Sequence, residues 1–238
     1  MRASSMVDQL ALNLRLRAET TLAAYLPAPD QLEIPSTVRA LVAGEAGVPQ
    51  LYLWGGPGTG KTHLAQAACH EAGARGLSAA YLPLGELVSM GPAVLEGLSS
   101  VRLLAVDDLD RVWREPKWQR ALFGLINEVR EHDGRLLLAA GVRPDEERVS
   151  MPDLRSRLLW GAVFHLRPLD EGRLRRMLQL GARSRGFPLG EPETEYLLRH
   201  AARDPGSLMR LLDRLDAASL KARRRVTVPL IRAVLDQP

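Results

Sequence analysis

The fold is decided by the stretch Gly55-Gly56-Pro57-Gly58-Thr59-Gly60-Lys61-Thr62, which fills every fixed position of the phosphate-loop pattern G-x-x-x-x-G-K-S/T. An apolar run, Leu51–Trp54, precedes this loop, and a helical pattern from His63 to Ala74 follows it. A strand, a glycine-rich turn and a helix N-terminus together form a phosphate cradle. The sequence therefore predicts a protein that binds a nucleoside diphosphate or triphosphate.

The residues of the loop have different predicted parts in nucleotide binding. Backbone N–H groups face the phosphates, and the glycines allow close approach. The Lys61 side chain reaches the β- and γ-phosphates, and the Thr62 hydroxyl ligates Mg²⁺. The predicted nucleotide contacts are the loop and the first helical residue after it: Gly55, Gly56, Pro57, Gly58, Thr59, Gly60, Lys61, Thr62 and His63.

A second acidic signal follows the apolar run Leu103–Val106, which ends in Asp107 and Asp108. In phosphate-loop proteins, a strand beside the loop supplies one carboxylate that holds the metal, and a second can polarise an attacking water. Paired acids at a strand end also occur as simple turn residues. Because a phosphate loop lies upstream, we predict Thr62 and Asp107 as magnesium ligands and Asp108 as a catalytic residue.

The pattern along the chain predicts an α/β fold with a parallel sheet flanked by helices. Apolar strands at 50–54, 79–82, 101–106, 135–140 and 162–166 alternate with helical stretches, and only helical patterns follow Pro168. We expect three regions: residues 1–30 as a leader with a linker, 31–168 as the nucleotide-binding domain, and 169–238 as a helical lid.

Composition limits the classes of protein that fit. The single cysteine, Cys69, excludes a disulfide framework and suits a reducing compartment. The apolar runs are shorter than the roughly 18 residues of a membrane span, and the charged N-terminal region does not form a secretory signal, so we expect a cytoplasmic protein. A net charge of +4 permits contact with nucleic acid without establishing it.

In several stretches of its sequence the chain resembles the AAA+ ATPases, and within them the DnaA family with its shorter Hda branch. The resemblance runs from about Leu51 to Leu235. It implies a AAA+ parallel-sheet core with a C-terminal helical lid. The stretches that carry it are Tyr52-Leu53-Trp54, Asp107-Asp108, Pro152–Gly161, Leu166–Leu169, Arg185–Phe187 and Val226–Leu230.

The resemblance implies roles for two further sites. In this family the arginine of the Ser-Arg-Leu segment is an arginine finger, here Arg157, which would reach a neighbouring subunit's nucleotide and stabilise transition-state charge. Near the N-terminus, Gln9-Leu10-Ala11-Leu12-Asn13-Leu14 is similar to the Hda peptide that docks on the DNA sliding clamp, which gives Gln9, Leu10, Leu12 and Leu14 as clamp contacts. The alternating leucines equally fit an edge strand packed on the body.

Two groups expected from the family are missing. The strand 135–140 continues into Gly141, where the family has a polar sensor, and the sensor arginine of the lid aligns with Gly206. Both groups would recognise the γ-phosphate. We therefore expect a protein that holds ADP or ATP with Mg²⁺, hydrolyses it weakly by itself, and acts mainly as an activator of its partner's ATP hydrolysis.

The function implied by the resemblance is regulation of replication initiation, with DnaA and the sliding clamp as partners. Because the sequence ends at Pro238, without room for a domain that reads origin DNA, we do not expect an initiator. A clamp adaptor without catalytic role, and a helicase-loader or transposition-helper ATPase, remain alternatives. Aromatic residues make up only 5% of the chain, so we expect DNA contact to be indirect or weak. Self-association is possible, because an arginine finger needs a neighbour.

Overall fold

A computed structural model of the chain describes residues 20–45, 47–145 and 149–236. The predicted clamp contacts Gln9, Leu10, Leu12 and Leu14 lie outside these residues. The strands are β1 (Gln50–Trp54), β2 (Ala79–Pro83), β3 (Leu103–Asp107), β4 (Arg135–Ala140) and β5 (Ala162–His165). The helices are α1 (Ile34–Ala43), α2 (Lys61–Ala74), α3 (Leu84–Leu87), α4 (Pro116–Glu131), α5 (Pro152–Leu158), α6 (Glu171–Ser184), α7 (Glu191–His200), α8 (Pro205–Ala222) and α9 (Val228–Leu235).

The strands form one parallel sheet, as the alternating pattern predicts, and their order across the sheet is β2-β3-β4-β1-β5. Strand β1 pairs with β4 from Gln50↔Leu136 to Trp54↔Ala140, and with β5 from Leu51↔Ala162 to Trp54↔His165. Because all strands run the same way, their carboxyl ends share one edge of the sheet and their amino ends share the opposite edge. The edge with the carboxyl ends is called the phosphate-loop edge, after the loop that contains Lys61. The edge with the amino ends is called the arginine edge, after Arg157.

Each face of the sheet is covered by helices, which explains why the strands are apolar throughout. Helix α4 covers one face with a buried stripe at helical spacing: Trp118, Leu122, Leu125, Ile126 and Val129. Helices α1 and α2 cover the other face, where Ile34, Leu41 and Leu64 pack with Leu51 and Leu53. Burying each such side chain contributes roughly 1.5–3 kcal/mol. The core therefore holds β1 rigidly between the two edges.

Residues 20–30 pack on this core, although the sequence predicts that they belong to a separate leader. Leu22 and Ala28 are buried, and Leu22 joins the cluster formed by α1, β1 and α2. The Gln31 side chain donates a hydrogen bond to the main-chain oxygen of His165. Apolar contacts that depend on the fold, invisible in a proline-rich sequence, therefore attach this segment to the body.

The residues after Pro168 form a separate compact unit of four helices, α6 to α9. The main break between the two units falls between Arg167 and Pro168. Asp170 caps α6 by accepting a hydrogen bond from the Arg173 N–H at 2.8 Å. Thr227 occupies the N-cap position of α9 without a capping hydrogen bond from its side chain. No helix in the described part of the chain is long and apolar enough to cross a membrane.

Candidate functional site

The phosphate loop connects β1 to α2 at the carboxyl edge of the sheet. Gly58 and Gly60 have φ values of 72° and 95°, a left-handed conformation that glycine adopts without strain. At Gly60, a Cβ atom would also lie 2.8 Å from the Tyr25 ring. The loop therefore needs glycine at this position both for its backbone conformation and for the space that Tyr25 occupies.

The Lys61 ammonium group lies inside the loop. Its Nζ donates hydrogen bonds to the main-chain oxygens of Gly55 at 2.7 Å and Gly56 at 2.8 Å. Burial lowers the pKa of Lys61, and the charges of Asp107, Asp110 and Asp108 partly offset this effect. A buried ammonium that is held by carbonyl oxygens fits a phosphate ligand, because a phosphate can supply the full counter-charge that carbonyls lack.

Thr62 and Asp107 meet as the magnesium prediction requires. The Thr62 hydroxyl donates to Asp107 Oδ2 at 2.6 Å, and the Tyr81 hydroxyl donates to the same oxygen at 3.1 Å. Asp107 is the last residue of β3 and is 1% exposed. A hydroxyl beside one carboxylate fits Mg²⁺, which takes one or two protein ligands and completes its shell with phosphate oxygens and water. Among the described residues, no group of three or more His, Cys, Asp or Glu side chains is placed to hold a metal ion.

Asp108 turns away from the strand direction in a left-handed conformation with φ 56°. Its carboxylate packs where Gly85 leaves room, because a Cβ at Gly85 would lie 2.6 Å from Asp108 Oδ2. Burial raises the pKa of Asp108, and the neighbouring charges of Asp107 and Asp110 raise it further. A carboxyl with a raised pKa beside the loop has the chemistry of a general base, so its catalytic role stays a prediction that this geometry permits.

The end of β4 lacks the polar sensor side chain, and another residue fills the space. The Gly141 N–H donates to Asp110 Oδ1 at 2.7 Å, and a Cβ at Gly141 would lie 3.1 Å from the same carboxylate. Asp110 was not predicted from the sequence. Its position three residues after Asp107 was a signal, but only the fold shows that it reaches β4.

Residues 20–25 lie against the first turn of α2, which the sequence did not predict. The His63 ring pairs its Nε2 with the main-chain oxygen of Thr21 at 2.8 Å, and Tyr25 lies beside it with ring centroids 6.0 Å apart. Burial lowers the pKa of His63. Because its ring is engaged with Thr21, a nucleotide contact from His63 would come from its backbone N–H.

Arg157 lies at the arginine edge, opposite the loop of its own chain. The Gln50 side chain donates from Nε2 to the main-chain oxygens of Arg157 at 2.8 Å and Leu158 at 3.1 Å. Gln50 is the first residue of β1, and Trp54, the last, directly precedes the loop. At about 3.3 Å per residue, β1 alone separates the two edges by about 13 Å.

The lid position that aligns with the second sensor is Gly206, near the start of α8. Asp204 caps this helix by accepting from the Ser207 N–H at 2.7 Å. Nearby, Arg210 donates to the Ser207 hydroxyl at 2.8 Å, and Arg203 lies 3.6 Å from Glu171. The arginines that flank Gly206 therefore make contacts within the lid.

Two family models match the chain. The model for ATPases associated with various cellular activities matches residues 51–158, and the Hda lid-domain model matches residues 170–235. The chain therefore combines an AAA ATPase domain with an Hda-type lid domain, in the AAA+ fold. The two matched segments lie on either side of the main break between the compact units, since the first ends before Arg167 and the second begins after Pro168.

Solved structures share the fold of this AAA+ protein at low sequence identity. Domain III of DnaA from Thermotoga maritima aligns with a TM-score of 0.75 and 22% identity, over 94% of this chain and all of that one. AMPPCP-bound DnaA from Aquifex aeolicus aligns with a TM-score of 0.69 and 22% identity, over 87% of this chain and 68% of that one. A RuvB variant from Thermotoga maritima aligns with a TM-score of 0.67 and 16% identity, over 93% of this chain and 72% of that one.

Proposed function

We propose that this AAA+ protein regulates the initiation of replication. It binds ADP or ATP with Mg²⁺, docks on the DNA sliding clamp, and stimulates hydrolysis of the ATP bound to DnaA, which prevents re-initiation. The observation that carries this proposal is the position of Arg157 at the edge of the sheet opposite its own phosphate loop, on a chain with an Hda-type lid.

Nucleotide binding is supported by the loop itself. Lys61 holds its ammonium group among carbonyl oxygens, and the N–H groups at the start of α2 point toward the loop. Thr62 and Asp107 offer a hydroxyl and a carboxylate for Mg²⁺, which when bound would neutralise phosphate charge. In the solved structures, DnaA from Aquifex aeolicus holds AMPPCP, a related ligand in a related fold.

Action on a partner is supported by the distance between Arg157 and its own loop. A guanidinium at the arginine edge does not reach a nucleotide held across the sheet, so any nucleotide phosphate that it contacts belongs to another molecule. A positioned guanidinium stabilises the charge that develops on a transferred phosphoryl group, and such a residue is worth 10³–10⁵-fold in rate in related phosphoryl-transfer systems. The expected target is the ATP of DnaA, with a second copy of this chain as another possible neighbour.

The adaptor without catalytic role is the second candidate, and one observation favours it. Gly141 and Gly206 stand where the family has side chains that sense the γ-phosphate, and Asp110 fills the space beside Gly141. A protein without these sensors can use its nucleotide to stabilise the fold. In that case it would join the clamp to another protein and leave hydrolysis unchanged.

Single-turnover hydrolysis of ATP preloaded on DnaA distinguishes the two candidates. We expect acceleration only when both this protein and clamp loaded on DNA are present. Replacing Gln9 or Arg157 by Ala should abolish it, since the first change would release the clamp and the second would remove the guanidinium. A chain that binds clamp but leaves the hydrolysis rate unchanged would refute the regulator and favour the adaptor.

A further inference from the structure

A second guanidinium accompanies Arg157 at the arginine edge. Arg130, in the last turn of α4, lies with its guanidinium over the ring of Trp160. Its Nη1 is buried and has no hydrogen-bond partner. Elsewhere in the described chain, many arginines have carboxylate partners within 4 Å, for example Arg173 with Asp170 at 3.0 Å and Arg185 with Asp213 at 2.6 Å.

Trp160 links Arg130 to Arg157, because its ring lies under the Arg130 guanidinium and its N–H donates to the Arg157 main-chain oxygen. Burial lowers the pKa of Arg130, and the positive charge of Arg157 lowers it further. The main chain keeps this arrangement, because the Trp160 N–H donates to the Arg157 oxygen at 3.3 Å and Gln50 holds the same oxygen. Among the described residues, neither guanidinium forms an ion pair.

An arrangement of this kind costs folding free energy unless something completes it. A buried donor without a partner keeps its full desolvation penalty, and the repulsion of two like charges adds to that cost. An anion bound by both side chains would offset the repulsion between their charges. The surrounding surface also suits contact with another molecule, because Leu159, Trp160 and Val163 are 45%, 50% and 38% exposed.

We infer that Arg130 and Arg157 form one anion site, which binds the terminal phosphate of a nucleotide held by a neighbouring AAA+ molecule. This inference rests on the proposed function, in which Arg157 acts on a partner. Each guanidinium presents a planar set of N–H donors. A terminal phosphate, with three oxygens and more than one negative charge, matches two such groups better than a carboxylate, which has two oxygens and one charge. Trp160 acts as a positioning residue, because its ring holds the Arg130 guanidinium in place.

The first test needs no partner. The full chain, with its own loop saturated by ADP, is titrated with inorganic triphosphate at low ionic strength, and tryptophan fluorescence is followed. We expect a saturable change that Trp160→Phe removes. Arg130→Gln should weaken triphosphate binding about tenfold, as Arg157→Gln should, whereas Arg120→Gln on the exposed face of α4 should leave it unchanged. Arg130→Lys, which keeps the positive charge but loses the planar set of N–H donors, should bind triphosphate with intermediate affinity.

The second test measures stimulated hydrolysis of DnaA-bound ATP with the same variants. We expect Arg130→Gln to lower the stimulated rate about tenfold and Arg120→Gln to match the unchanged chain. If Arg130→Gln weakens triphosphate binding while the unchanged chain stimulates no hydrolysis, the anion site stands and the proposed function fails.

Two outcomes overturn the inference while the proposed function stands. In one, the unchanged chain stimulates DnaA and Arg130→Gln behaves like it in both tests. In the other, Arg130→Gln loses triphosphate yet stimulates fully, which would separate Arg130 from the partner's nucleotide.

Discussion

The phosphate-loop edge and the arginine edge belong to the same sheet, but they differ in whether their charged side chains have partners within the described chain. At the first edge, polar groups are satisfied within the chain: Lys61 by loop carbonyls and Asp107 by the Thr62 and Tyr81 hydroxyls. At the second edge, the guanidinium groups of Arg130 and Arg157 have no ion pair among the described residues, and apolar side chains are exposed around them. The difference indicates a closed site for the chain's own ligand and an open site that another molecule completes.

The largest expected effect comes from Gly161→Ala, which disrupts the arginine edge alone. A Cβ at this position would lie 2.0 Å from the Gln50 main-chain oxygen, so β5 or the end of α5 must move. We expect a loss of about 3 kcal/mol in the free energy of unfolding, measured by urea denaturation. Gly124→Ala in α4 is the control: nothing lies within 4 Å of its added Cβ, and it should stabilise the chain by roughly 0.5–1 kcal/mol.

Lys61→Ala tests the phosphate-loop edge. Removal of the ammonium group takes away a charge-assisted hydrogen bond to phosphate, worth about 1.5–3 kcal/mol, so the affinity for ADP should fall about 10- to 100-fold by calorimetry. Lys117→Ala, at an exposed position of α4, should bind ADP like the unchanged chain. Unaltered ADP affinity in Lys61→Ala would show that the loop is not the nucleotide site.

Asp107→Asn sharpens the comparison by changing charge with little change of shape. The amide oxygen can still accept from Thr62, but it binds Mg²⁺ less well than a carboxylate. The gain in ADP affinity on adding Mg²⁺ should fall by about fivefold to tenfold in titrations with Mg²⁺ and with a chelator. The same change at Asp110, whose contact is the Gly141 N–H, should affect this gain much less; equal effects would argue against Asp107 as a metal ligand.

The smallest expected effect is a pH-dependent stabilisation by Asp108→Asn in nucleotide-free protein. Because the pKa of Asp108 is raised in the fold, the folded state binds this proton more tightly than the unfolded state, and stability falls as the carboxyl ionises. Asn removes that cost and tolerates the left-handed backbone. The variant should therefore be more stable near pH 7, with a difference that shrinks below the ordinary pKa of Asp. Thermal unfolding across pH measures this, and a difference that grows in acid would contradict it.

Local patterns predicted most of the fold. The five parallel strands, the loop between β1 and α2, and the buried stripe of α4 follow from apolar runs and helical spacing that each segment carries by itself. The Asp170 cap is equally local. The packing of Leu22 was not visible in the sequence, since it depends on a surface that α1 and α2 form together.

The candidate site was predicted only where a motif marks it. Lys61, Thr62 and Asp107 stand together because β1 and β3 end at the same edge of the parallel sheet, with β4 between them. Gln50, Asp110 and Arg130 carry no motif, and their contacts join residues 107, 31 and 30 positions apart. Side chains that act through the packing of distant elements were therefore missed.

The most direct test of the separation between the two edges uses a single preparation of Arg157→Ala. Its affinity for ADP is measured by calorimetry, and its stimulation of DnaA-bound ATP hydrolysis is measured with clamp loaded on DNA. If the edges work separately, ADP affinity stays that of the unchanged chain and stimulation is lost. Weakened ADP binding, or stimulation at the unchanged rate, would contradict the assignment of Arg157 to a partner's nucleotide.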